Sequence, residues 1–227
     1  MKRFFSLYIC LFLLFPAVSM AEGKGNIWTE VMRAVVEERW GDAEKLFKAA
    51  IGQNKDEAEN FFWRERVNNS FRETMALNLG DYYRKLHNHE KAFTFYNELI
   101  KLRPQDLEYL AGMAELQVCC GKEKEALDTY EKILSLAPDN LPANIYIGNY
   151  YFFYAEKSKK KLDEDYSRLV SPTRMQLAAY HNGLATLLNS EYFRSKKYLE
   201  KVMALFPSTE VKKTLDRIKQ VETEINK

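Results

Sequence analysis

Four prolines divide the chain at nearly equal intervals: Pro104, Pro138, Pro172 and Pro207 are 34, 34 and 35 residues apart. Other residues recur with them. Leu79-Gly80 is followed by Tyr83, Ala92, Tyr96 and Pro104; one period later stand Ala126, Tyr130 and Pro138; Ile147-Gly148 followed by Tyr151 repeats the opening. A fixed period of this length marks stacked helical hairpins, each too small to bury its apolar face alone. The residue types suit that packing. Gly80 and Ala92 let the two helices of a hairpin approach closely, Tyr83 and Tyr96 fill space between hairpins, and Pro104 cannot continue a helix.

The order Leu-Gly-x2-Tyr, then Ala-x3-aromatic, then Pro resembles the tetratricopeptide repeat. The resemblance covers roughly residues 27–207 and is strongest in the repeats 73–106 and 107–140, whose turns fall at His87-Asn88-His89 and Gly121. It implies an all-α fold, an α-solenoid of about four hairpins. Residues 208–227 are expected to form a C-terminal capping helix, apolar at Val211, Leu215, Ile218 and Ile225 and charged on its other face.

The outer repeats depart from the pattern. Ile27, Val31, Ala34 and Val35 mark a first helix, Trp40-Gly41-Asp42 reads as a turn, and Ala43, Leu46, Phe47, Ala50 and Ile51 mark a second helix. An additional helix is expected over about 56–67, followed by a capping box of Ser70 and Glu73. In the third repeat Lys160 and Glu164 stand where the small and aromatic residues belong. Its first helix either runs unbroken to about Leu169 or turns near Ser158. A fourth pair is expected over 173–189 and 192–206, with Gly183, Ser195, Leu199 and Pro207 at or near phase.

The N-terminus reads as a secretory signal: basic Lys2-Arg3, an apolar run from Phe4 to Val18, then Ser19-Met20-Ala21. Residues 1–21 are therefore expected to be removed, with 22–26 a linker and the protein periplasmic or secreted. An uncleaved anchor is the alternative, weakened by Pro16. The signal holds two of the 34 basic residues and none of the 32 acidic ones, which leaves 32 of each. No broad positive field remains to attract nucleic acid or a membrane surface. Cys119 and Cys120 are adjacent, and a disulfide between neighbours is strained.

No nucleophile elbow, P-loop, dinucleotide fingerprint or HExxH is present, so no catalytic, cofactor-binding or metal residue is expected. His87 and His89 read as solvated turn residues. The resemblance instead implies a binding groove lined by the first helix of each hairpin. The positions it selects are Thr74, Leu77, Asp81 and Arg84; Glu108, Ala111, Glu115 and Val118; and Pro142, Ile145, Asn149 and Phe152, with Tyr146 and Phe153 adjacent. The Lys, Asn and Arg set with which chaperone-binding members clamp a C-terminal carboxylate is absent. The groove residues that remain are Asp81, Arg84, Glu108, Glu115, Tyr146, Asn149 and Phe152. They would suit a peptide or helix offering apolar and basic groups. Alternatively, the aromatic run Tyr150–Tyr154 is core, covered by the irregular half of the third repeat. The expected function is a non-enzymatic exported scaffold or adaptor for a protein partner. The alternatives are an accessory subunit of an envelope assembly or secretion complex, or a regulatory subunit of an enzyme.

Overall fold

The computed structural model describes residues 26–225. The expected signal segment and residues 22–25 of the linker lie outside the described residues. The fold is all-α and of the solenoid class, and the chain divides into two compact units, one ending at Lys55 and the other beginning at Asp56.

The first unit is one hairpin. Helix α1 (Ile27–Val36) is capped by the Asn26 side chain, which accepts a hydrogen bond from the Trp28 N–H at 3.1 Å. Helix α2 (Trp40–Gln53) returns against it, with Trp28 meeting Phe47 edge-on at 6.2 Å. The turn is not at 40–42, since Trp40 already opens α2. It lies at Glu37–Arg39, where Glu38 takes a positive φ of 57°. Arg39 braces it, donating to Glu37 at 2.8 Å and Asp42 at 2.6 Å.

The second unit opens within α3 (Lys55–Arg64), which ends three residues earlier than expected. Helix α4 (Asn69–Lys85) is capped by Asn68, whose side chain accepts the Phe71 N–H at 2.8 Å. The expected capping box therefore does not form. Ser70 lies inside the helix, and Glu73 instead accepts from the Tyr109 hydroxyl at 2.5 Å and pairs with Arg103 at 3.2 Å. Helices α5 (His89–Leu102), α6 (Leu107–Cys119) and α7 (Glu123–Leu136) complete two regular hairpins. Their turns pivot on His87 at φ 55° and Gly121 at φ 70°, the left-handed region that favours glycine. Tyr96 joins the hairpins. A Cβ on Gly80 would lie 3.0 Å from its ring, and one on Gly112 of the next hairpin would overlap it. Ala92 is fully buried beside them.

Helix α8 (Leu141–Ser167) runs unbroken for 27 residues, with no turn near Ser158. Then follow α9 (Arg174–Leu187), a π-helical turn (Leu188–Tyr192), α10 (Phe193–Leu205) and α11 (Thr209–Ile225). The expected pairing of α9 with α10 is not what forms. Helix α10 packs on the inner half of α8, and α9 on its outer half. A Cβ on Gly148 would sit 2.6 Å from Leu199, whereas one on Gly183 would meet Leu162 at 3.1 Å. Ser195 and Leu199, both fully buried, thus take in this hairpin the places of Ala92 and Tyr96. The physical reason is the charge at Lys160 and Glu164: that stretch of α8 cannot form a buried second helix, so α10 supplies one. The outer half of α8 and α9 form an inserted arm, closed by Tyr166 stacked on Tyr180 at 4.4 Å and by the Tyr180 hydroxyl donating to Asp163 at 2.7 Å. Helix α11 buries Val211, Ile218 and Val221 against α10, α9 and the π-helical turn.

Candidate functional site

Because α8 does not turn, one face of it carries a long stripe at helical spacing: Pro142, Ile145, Tyr146, Asn149, Tyr150, Phe153, Tyr154 and Lys157. This stripe forms one wall of an open cleft of about 810 Å³. The other wall comes from Val118 at the end of α6, Glu123 at the start of α7 and Tyr130 midway along α7. The volume lies within the roughly 300–1,000 Å³ usual for ligand sites.

Tyrosines form the base of the cleft. Tyr146 stacks on Tyr130 at 4.4 Å between ring centroids and on Tyr150 at 6.3 Å. Its hydroxyl donates to the Glu123 backbone carbonyl at 3.2 Å, fixing α8 to the start of α7. Burial, and then the nearby Glu123 carboxylate, push the Tyr146 phenol up to about 12. It therefore stays protonated and donating in any physiological compartment. Further along the stripe Phe153 and Tyr154 are 67% and 53% exposed. A folded chain gains about 1.5–3 kcal/mol by burying a ring of this size, so two left open side by side point to an external contact.

The residues selected from the sequence separate into three places. Tyr146 and Asn149 line the cleft, with Val118, Pro142 and Ile145 from the same pattern. Phe152 does not line it. One residue round the helix from Phe153, its ring turns inward toward Tyr192, at 6.5 Å, and the cluster of Ala155, Ile218 and Val221. Asp81, Arg84 and Glu115 gather around the Tyr96 hydroxyl instead. Arg84 donates to that hydroxyl at 2.7 Å and to Glu115 at 2.7 Å, and the hydroxyl donates to Asp81 at 2.9 Å. Arg84 thus faces two of the expected groove carboxylates itself, and its bond to Glu115 ties α4 to α6. Glu108 is exposed at the start of α6, apart from both groups.

Sequence reasoning misses Tyr130, Glu123 and Lys157 as lining residues. It gives Tyr130 only a packing place between hairpins, and it takes Lys157 as part of a solvated basic run. The signal that finds Lys157 is the i, i+3, i+4 stripe continued past Tyr154, which requires α8 to be one helix. The aromatic run serves both expected ends. Tyr150, Phe153 and Tyr154 line the cleft, Phe152 is packed inside, and Tyr151 lies under the Arg194 guanidinium at 5.2 Å. Among the described residues no group of three or more His, Cys, Asp and Glu is placed to hold a metal, and no helix is long and apolar enough to cross a membrane.

The family model described as Tetratricopeptide repeat matches residues 74–106. Among solved structures the chain is similar to a protein from Bacteroides ovatus ATCC 8483 to which protein binding is ascribed. The two share 42% identity, covering 88% of this chain and 97% of that one, with a TM-score of 0.79. A tetratricopeptide repeat protein from Parabacteroides merdae ATCC 43184 is 18% identical, covering 87% of this chain and 72% of that one, with a TM-score of 0.37. A thermophilic repeat protein of the same kind in Thermus thermophilus is 15% identical, covering 87% of this chain and 98% of that one, with a TM-score of 0.34. No curated protein matches the chain.

Proposed function

The chain belongs to the tetratricopeptide repeat family, and from that premise we propose that it is an exported, non-catalytic adaptor that holds a segment of a protein partner in the aromatic cleft. The observation that carries this reading is the uncovered pair Phe153 and Tyr154 on a cleft whose base is made of stacked tyrosines. Partner contacts are commonly anchored by aromatic side chains of this kind, set in a pocket that excludes water around them. Export rests on the layout of residues 1–21.

The test is capture of partners from the envelope of the native host by the native chain and by Phe153→Asp. Because Phe153 is exposed, the variant keeps its melting temperature, and its capture of the partner falls at least tenfold. Equal capture by both proteins would remove the cleft from the reading. The same material should show an N-terminus at Glu22, and an intact Met1 form confined to the cytosol would refute export.

The arm favours a second reading, an accessory subunit of a larger envelope assembly. Val170 at its tip is 100% exposed and Met175 is 82% exposed, a second apolar surface apart from the cleft. A subunit that bridges two neighbours needs two such surfaces. Co-purification of two distinct partners, one lost with Phe153→Asp and the other with Met175→Asp, would favour this reading over a simple adaptor.

A further inference from the structure

The cleft carries one charge of each sign, and neither is paired within the described residues. Glu123 and Lys157 both line it and both are exposed. Neither side chain makes an ion pair or hydrogen bond among the described residues, although acids and bases elsewhere in the unit are widely paired, as in Arg84–Glu115 and Lys196–Glu222. The Asn149 amide between them is also without a partner in the described residues, and it is half-buried against the cleft wall.

Their separation follows from the helix. Glu123 lies beside Tyr146, which donates to its carbonyl, and its carboxylate acts on both Tyr146 and Tyr150. Lys157 is seven to eleven residues further along α8. At a rise of about 1.5 Å per residue the two charges stand roughly 10–17 Å apart along the cleft. Tyr150, Phe153 and Tyr154 fill the interval. A helix bonds its own backbone groups internally and would offer none to the Asn149 amide. An extended segment rises about 3.1–3.4 Å per residue and crosses the interval in three to five residues.

Building on the binding role argued above, we infer that the cleft takes an extended segment of a partner protein bearing a basic side chain and an acidic side chain three to five residues apart, with apolar residues between them. The basic group meets Glu123, the acidic group meets Lys157, the apolar residues lie on Tyr150, Phe153 and Tyr154, and Asn149 hydrogen-bonds the segment's backbone. Two opposite charges at the ends of an apolar strip fix direction. A segment entered backwards sets like charge against like at both ends, which serves discrimination more than affinity.

The experiment pans a displayed library of random twelve-residue peptides against the full chain, with Phe153→Asp as the counter-selection. Selected peptides should carry the basic–apolar–acidic spacing in one constant direction. A synthetic peptide of that sequence should bind the native chain at least tenfold more tightly than its charge-exchanged version. The double variant Glu123→Lys with Lys157→Glu should reverse that preference, and both substitutions are on exposed side chains, so the melt is unchanged. Peptides that depend on Phe153 but show no charge order, or that carry apolar residues at helical spacing, overturn the inference while leaving a binding cleft. Absence of any Phe153-dependent peptide overturns both the inference and the cleft reading. Sedimentation over a rising concentration series should show a monomer; a dimer abolished by Phe153→Asp would put a second copy in the cleft and overturn the inference as well.

Discussion

Helices α4–α7 and the arm formed by α9 with the outer half of α8 are both antiparallel pairs, yet they hold together differently. Helix α4 buries Phe71, Met75, Ala76, Leu79, Gly80 and Tyr83. Helix α9, of similar length, buries only Leu184. The repeats are covered on successive faces by the next hairpin, and each layer is a neighbour's core. Within the arm, α9 has α8 along one side and only slight contact with α11 on another. What holds it is polar as much as apolar: Asp163 accepts from Tyr180 and pairs with Lys159 at 2.8 Å. Repetition therefore confers stability through stacking, and a hairpin that leaves the stack loses most of it while keeping its helical form.

The largest test of this contrast is Leu199→Ala. If α10 closes the third hairpin, this fully buried side chain is core, and its loss should cost about 2–5 kcal/mol in urea unfolding. The control is Leu177→Ala in α9, which is expected to cost about 0.5 kcal/mol or less because that side chain is 40% exposed. Equal costs for the two would return α9 to the stack. Ala92→Leu should come next. It forces a larger group between α4 and α5 at a fully buried position, for about 1–3 kcal/mol of overpacking, read as a lowered midpoint at constant slope. The smallest effect belongs to Met175→Ser at the end of the arm, within about 0.5 kcal/mol of the native chain. A loss above about 1 kcal/mol there would mean that the arm is covered in solution, and so would break the contrast at its weakest point.

The sequence made the regular part legible because small residues and aromatics recur there for a reason of contact. Gly80, Ala92 and Tyr96 are close-packed, and so is the Gly112 to Tyr96 approach. It misled at the arm for a reason equally physical. From Gly148 to Gly183 is 35 residues, almost one period, so the insertion keeps the rhythm of the prolines. Pro172 falls in the loop at the arm's tip, where it closes no repeat. Lys160 and Glu164 were the available warning, since charge at both small and aromatic positions rules out a buried second helix. The cleft was half legible. Asn149 follows from repeat phase and Tyr146 stands next to the phase position Ile145, but Phe152 and Phe153 are adjacent, and assigning one inward and the other outward needs the true axis of α8. The Arg84 network was hidden because Glu115 is 31 residues from its cation, a pairing that only stacking brings about.

The delayed partner of α8 matters most while the chain is being made. In α4 and α5 the close contact of Gly80 with Tyr96 joins residues 16 apart, whereas Gly148 waits for Leu199, 51 residues downstream. Closing the longer loop costs about 1 kcal/mol more in chain entropy. At a synthesis rate of roughly 5–20 residues per second, the face around Gly148 stands open for about 3–10 s after it emerges. The first two repeats of the larger unit are complete by then and offer α8 a surface to rest on through Ala143 and Ile147. The ribosome thus delivers a half-covered helix, and the third hairpin of the larger unit shuts only when α10 has been translated.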